Sequence, residues 1–451
     1  MSALHAQRTT AALTGLPSPG ELDASTPAGR DRAIDVIRIT SLVAVVLGHT
    51  LMAISVIRDD VLIWDNLLAT SVALQALTWI FQIMPLFFFA GAAACLTSWQ
   101  PGMNWGNWLM KRCTRLFRPV FYYLGFWAAA LLLLHPLLPP HVYDPIASVS
   151  TQALWFLGAY VLVLAAMPML YRITTTARLA LGVGTVYVAI AVIDFVRLHW
   201  HAASPLGYLN LAVWLVPAMF GVAYRRDLLT GAGALRIAAG MFTVNLVLVL
   251  WGPYEVSLVG TGDQHLSNSS PPSLLLAGHA IVLSLVAIAA APAIGRWARR
   301  PRVWWWTVLG NSGAMTLYLW HIPAIAVATF ALHAVGLDAY SVDAQGFWGM
   351  LALRAVVFAV VMAAAFFALS PLEHRRLPWW DSAARATGVR STVAGVFICL
   401  TGVALVLLAK DGLVGVDGYT LLAAFVVCAG AARVSAGGSA SRTAQAAQTV
   451  T

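Results

Sequence analysis

The sequence predicts an all-α fold, a polytopic transmembrane helical bundle. Three observations carry this. Of the 451 residues, 60% are hydrophobic and only 10% are charged, with a mean hydropathy of +0.79. The apolar residues fall in long runs rather than in an amphipathic stripe, and the basic residues cluster in alternate short connections. A soluble globule of this length needs more charge to cover its surface, so the runs are read as membrane helices. The net charge of +9 does not mark a nucleic-acid partner. Its carriers sit where membrane topology requires them, so the partner is membrane lipid.

Each run is close to the roughly 20 residues that cross a bilayer. Twelve qualify, at 35–56, 72–98, 119–138, 152–171, 179–198, 207–224, 235–252, 273–294, 306–335, 347–370, 392–409 and 416–433. Residues 1–30, rich in Ala, Thr, Ser, Pro and Gly, read as a disordered cytoplasmic arm. With no signal peptide ahead of it, the first run is expected to stay as an uncleaved helix. The ninth run is too long for one helix, and Asn311-Ser312-Gly313 is expected to divide a Trp-rich lead (Trp304, Trp305, Trp306) from the span proper. Residues 434–451 are a small, polar tail and are expected to be disordered.

Loop charges orient the chain. With the amino terminus inside, the clusters around Arg112, Arg172, Arg225, Arg299 and Arg375 all face the cytoplasm, against Arg58, Arg197 and Lys410 outside. The outer loops carry Asp59, Asp60, Asp65, Asp144, Glu255, Asp263, Asp338 and Asp343. This positive-inside pattern places the chain in the cell membrane with both termini cytoplasmic.

Ionisable residues inside apolar spans are the first candidates for function, because lipid makes them costly. Asp35-Val-Ile-Arg38 opens the first span and His49 lies well inside it. Eleven residues of helix bring Arg38 and His49 within roughly 20° of one face, about 16 Å apart along the axis. Asp35 lies one turn below Arg38 and is assigned to orient it. A helix-entry ion pair and a packed histidine are the bland alternatives. In Lys111-Arg112-Cys113-Thr114-Arg115, Arg112 and Arg115 sit one turn apart, so both guanidinium groups can clamp a phosphate-rich ligand; the bland reading is a topology-setting loop. In the ninth span Tyr318 lies one turn before His321, either as a packing pair or as supporting groups of a site. Asp194 and Arg354 lie in or beside spans and require partners. The loop from Asp263 through His265 to Pro272 reads as a turn before the eighth span. Cys95, Cys113, Cys399 and Cys428 show neither CxxC nor Cys/His spacing, so no metal site is expected.

Asp35-x-x-Arg38-x10-His49, Pro85-Leu-Phe-Phe-Phe-Ala-Gly91, Arg112-x-x-Arg115, Trp155-Phe-Leu157 and Tyr318-Leu-Trp-His321, in this order, resemble the acyltransferase-3 family of membrane acyltransferases. The resemblance covers residues 31–376 and implies a core of about ten helices, to which residues 377–433 add one or two C-terminal helices. It also implies transfer of an acyl group from cytosolic acyl-CoA, a co-substrate rather than a resident cofactor. The acceptor would be a hydroxyl of an envelope glycan, lipid or secreted metabolite. His49 takes the place of the family's functional histidine, Arg38 that of its paired arginine, and Arg112 and Arg115 that of its basic pair. No esterase-like domain follows the helices, as it does in some members, which leaves the acceptor open.

The spacing suits such a donor. Its polyanionic head would meet the arginines while the uncharged arm runs along the first helix, and the ~16 Å from Arg38 to His49 is of that order. His49 would act as general base on the acceptor or carry the acyl group as a nucleophile, and a neutral imidazole serves both. A twelve-span proton-coupled transporter is the alternative, since such carriers also bury His, Asp and Arg. Against it, the seventh span repeats none of the ionisable residues of the first.

Overall fold

The computed structural model describes residues 17–58, 61–260, 266–337 and 345–437. Of the residues expected in the terminal segments and outer loops, 1–16 and 438–451, with Asp59, Asp60, Asp263, His265, Asp338 and Asp343, lie outside the described ones. Among the described residues, twelve helical spans are long and apolar enough to cross a membrane. They are Arg32–Met52, Val72–Leu96, Trp105–Leu134, Pro140–Ala165, Thr176–His199, Ser204–Arg225, Gly231–Leu250, Leu274–Trp297, Ala314–His333, Phe347–His374, Gly388–Asp411 and Gly415–Ala436. The helical bundle therefore stands, with the last span a full 22-residue helix.

Several boundaries differ from the sequence expectation, among them the start of the fourth span, at Pro140 rather than residue 152. Residues 17–30 are not an unstructured arm: Pro19–Ser25 form a helix whose start is closed by reciprocal hydrogen bonds between Ser18 and Glu21. The first span ends at Met52 rather than residue 56, and Ala53–Arg58 pairs antiparallel with Val61–Asn66. The run Ala-Ile-Ser-Val-Ile is rich in β-branched residues, so an extended backbone competes with the helix there. The third span starts at Trp105 rather than residue 119, so the basic cluster lies within the span's own helix instead of ahead of it. The last helix runs on to Ala436, into the segment expected as tail. The division of the ninth run is as expected, with Pro301–Ser312 and Ala314–His333 meeting at Gly313.

The chain folds as two compact units that interleave in sequence. Among the described residues, the first comprises 17–49, 67–96, 173–260 and 266–314. Its second span breaks between Phe81 and Met84, because Pro85 has no amide to donate and its ring crowds the carbonyl of Phe81. Gln82, freed by the break, donates to the Leu258 carbonyl, and its own carbonyl meets Nε2 of buried His279 at 3.2 Å. The half-span Met84–Leu96 packs tightly on Leu215–Arg225: a Cβ on Gly221 would stand 2.2 Å from the Phe89 carbonyl oxygen. Asp194 is buried and accepts from Arg197, Asn210, Tyr254 and the first-turn amide of Leu274. These are the partners its burial required, and the amide places the carboxylate at the positive end of a helix.

Among the described residues, the second unit comprises 50–58, 61–66, 97–172, 315–337 and 345–437. Glycines bring its backbones close. A Cβ on Gly158 would lie 2.3 Å from the Gly402 carbonyl oxygen, and one on Gly106 would lie 1.6 Å from that of Ser391. The eleventh span therefore packs on the third and fourth. It forms a hairpin with the twelfth through Gly412 and Gly415, whose φ values of 75° and 59° belong to the left-handed region. Phe117, Trp380 and Phe425 are fully buried in one aromatic cluster that also holds Phe121. Arg354 donates to the carbonyl of Thr50 at 3.1 Å, in the last turn of the first span.

Candidate active site

The first span begins where Asp31 accepts the Ile34 amide, an N-cap that also ties the helix to Arg225 at 3.0 Å. One turn on, Asp35 is buried, yet its principal partner is not Arg38. Arg30 grips it with both edges of its fork, Nε to Oδ2 at 2.5 Å and Nη2 to Oδ1 at 2.9 Å. The hydrogen bond to Asp35 holds the Arg30 pKa above its ordinary value, against the opposing pull of burial. Arg38 Nη2 stays 3.5 Å from Asp35 Oδ1, while its Nε donates to Asn311 Oδ1 at 2.7 Å. Asn311 reaches in from the helix Pro301–Ser312, and its amide nitrogen donates to the carbonyls of Asp35 and Thr307, at 3.0 and 2.8 Å. Those two bonds fix which way the side-chain amide points, so its oxygen has to face Arg38.

His49 lies in the last turn of the first span, 17 positions or about 25 Å from its start. Its exposure follows a pattern. With Arg38 set at 0°, His49 falls near 20° and Val45 near 340°, and all three are accessible. A second accessible stripe, Thr40, Val43, Leu47 and Leu51, lies between about 140° and 220° and is almost wholly apolar. Buried residues separate the two, Leu42, Val46 and Thr50 on one flank and Ser41 and Gly48 on the other. A lipid-facing role suits the apolar stripe. The stripe with Arg38 and His49 needs water or polar groups beside it, because hydrocarbon would penalise both side chains.

The remaining candidates fall in the second unit. Along the third span Lys111 and Arg115 are exposed, and Arg112 is half-buried with its guanidinium 5.8 Å from the centre of the Trp108 ring. Arg118 is buried, and its fork closes on Asp381, with a further bond to the Glu373 carbonyl at 2.9 Å. Burial opposes ionisation of Asp381, but the Arg118 fork and the Leu377 amide hold its carboxyl below the usual range. Of the four basic groups between 111 and 118, Arg118 thus serves to anchor the segment after the tenth span. In the ninth span His321 is buried, with Nδ1 on the carbonyl of Tyr318 at 2.6 Å, and the Tyr318 hydroxyl donates to the Ala153 carbonyl. Glu373 accepts the amide and hydroxyl of Thr316, closing the start of that helix. It borders a cavity of about 250 Å³ lined by Tyr122, Phe126, Trp320 and Leu369 among others. Among the described residues no three His, Cys, Asp or Glu side chains gather as metal ligands.

Sequence reasoning passed over Arg30, Asn311 and Asp381. Asn311 stood out only as a helix break, although an amide next to an apolar span carries its own demand for partners. Arg30 and Asp381 lie in polar segments and gave no signal.

Twelve apolar spans define an integral membrane protein, and the first of them carries an accessible stripe with Arg38 and His49. Residues 31–370 match the acyltransferase-3 family, whose description is an acyltransferase domain. The match covers most of the chain, so the protein belongs to that family and is a membrane acyltransferase. This does not favour the transporter alternative. No curated protein and no solved structure matches the chain. The eleventh and twelfth spans lie beyond the matched residues, yet pack within the second unit.

Proposed function

We propose that this acyltransferase moves an acyl group, acetyl first among them, from cytosolic acyl-CoA to a hydroxyl of an envelope glycan, lipid or secreted metabolite. The observation that carries the proposal is the accessible stripe of the first span, with Arg38 held at one end and His49 exposed near the other. His49 takes the proton of the acceptor hydroxyl as its oxygen attacks the thioester carbonyl. The carbon–sulfur bond then breaks, the ester forms, and the proton passes to the departing thiolate to give free CoA. Arg38 meets the anionic donor, with Asp35 one turn below it and held by Arg30 at the helix entrance. Arg112 and Arg115 bind the phosphates of the donor head, since Arg115 is exposed and the Arg112 guanidinium lies over Trp108. His321 and Tyr318 support the reading only indirectly, by tying down the ninth span.

The test is thermal stability of the purified protein in detergent with acetyl-CoA, compared with free CoA and ATP. A rise with the CoA species is expected, because a ligand that binds only the folded state stabilises it. No rise with any of a panel of acyl-CoAs, in well-folded protein, would overturn the assignment of the donor. Arg112→Ala combined with Arg115→Ala is expected to raise the donor KM while leaving turnover at saturating donor near normal. Unchanged donor affinity would reduce the pair to topology-setting charges. The same reading needs the basic clusters inside, so a reporter fused after Thr451 is expected to read as cytoplasmic. An extracytoplasmic signal would put the donor on the wrong side.

A further inference from the structure

Arg38 has a carboxylate one turn away on its own helix, an arrangement that ordinarily closes into an ion pair and cancels the charge. Here the pair stays long, at 3.5 Å. Arg30 occupies both oxygens of Asp35, at 2.5 and 2.9 Å, and leaves Arg38 at 3.5 Å. Asn311, whose oxygen is neutral, takes Arg38 Nε at 2.7 Å and draws the guanidinium toward itself. Among the described residues, Arg38 makes no other ion pair or hydrogen bond, and about a third of its side chain is accessible (30%). Arg30, half exposed at 53%, spends its own charge on Asp35. The segment that carries Arg30 is secured in turn: Arg32 pairs with Asp23 at 2.5 Å, Trp304 donates to Thr26 at 2.7 Å, and Trp305 donates to the Pro17 carbonyl at 2.9 Å.

We infer that Arg30 and Asn311 are positioning residues that keep the charge of Arg38 largely uncancelled and its fork open for an anionic group of the acyl donor. The inference rests on the proposed role of Arg38. Arg30 neutralises Asp35, so that Asp35 does not neutralise Arg38. Asn311 sets the direction of the fork without adding charge, and its two bonds to carbonyls prevent the amide from turning its nitrogen toward Arg38. The segment before the first span, outside any helix that crosses the membrane, thereby reaches the site.

Four variants of the full chain, assayed for donor KM and turnover, separate this from a merely structural role. Asn311→Ala and Asn311→Asp both lose the amide donors to Asp35 and Thr307, and differ in that aspartate places a carboxylate against Arg38. Asn311→Asp is therefore expected to raise the donor KM about tenfold above that of Asn311→Ala. Arg30→Gln releases Asp35 to close on Arg38 and is expected to raise KM by a similar factor. Arg30→Gln with Asp35→Asn removes the competing carboxylate and is expected to bring KM most of the way back. Equal donor KM in the two Asn311 variants, or no recovery in the double variant, would overturn the inference. Arg38→Ala distinguishes the two levels. If that variant binds the donor normally, the role of Arg38 itself is wrong and the positioning role falls with it. If it loses the donor while Asn311→Asp and Arg30→Gln keep it, the role of Arg38 stands and the positioning role is refuted.

Discussion

His49→Ala is expected to cut acyl transfer by roughly 100-fold to 10,000-fold, the range for loss of a general base, with donor affinity little changed. His49 is the titratable group on the accessible polar stripe, one turn from the end of the first span. The side chain is exposed, so its removal opens no core cavity and insertion and folding are expected to persist. The measurement is single-turnover transfer from radiolabelled acetyl-CoA in detergent, alongside the thermal shift with the same donor. A variant that binds donor and transfers at the wild-type rate would end the role assigned to His49. Accumulation of an acylated wild-type protein before acceptor is added would replace the base by a nucleophile at the same residue.

Gly106→Leu is expected to have the largest effect on stability. Even the first carbon of its side chain would stand 1.6 Å from the Ser391 carbonyl oxygen and 2.8 Å from the Gly395 amide nitrogen, both backbone atoms that no rotamer can move. The third and eleventh spans would have to part. Overpacking of this kind costs about 1–3 kcal/mol, and more where the backbone itself must shift. Gly125→Leu in the same helix is the control, because a Cβ there meets nothing within 4 Å. Loss of the monodisperse species on size exclusion is expected for Gly106→Leu and not for Gly125→Leu. Equal behaviour of the two would mean that the eleventh span is not packed on the third. Its packing matters for the enzyme's architecture, since the eleventh and twelfth spans extend past the family match and would otherwise pass for a detachable addition.

The spans were legible because lipid imposes a simple rule: about 20 apolar residues, with charge excluded. The division at Asn311–Gly313 was legible for a related reason, as the ninth run was longer than a span. The start of the third span was not. Arg112 and Arg115 read as one helical turn ahead of the span, and their charge hides that a helix with Trp105 and Trp108 at its start runs unbroken into the span. The short helix at Pro19–Ser25 was missed because composition averages over the arm, whereas Ser18, Pro19 and Glu21 form a local capping signal.

The sequence by itself determined the class of protein, the number of spans and the shared face of Arg38 and His49. All three follow from composition and from the fixed rotation of a helix. Only the tertiary structure decided which neighbour each charge takes. Asp35 stands one turn from Arg38 in sequence and yet is claimed by Arg30, while Arg38 turns to Asn311 from a helix more than 270 positions away. Arg118 looks like its three basic neighbours and is the one buried against Asp381. Periodicity carries the direction of a side chain from its own helix. Partners at long sequence separation come from packing between helices, and a single chain's pattern does not encode them locally.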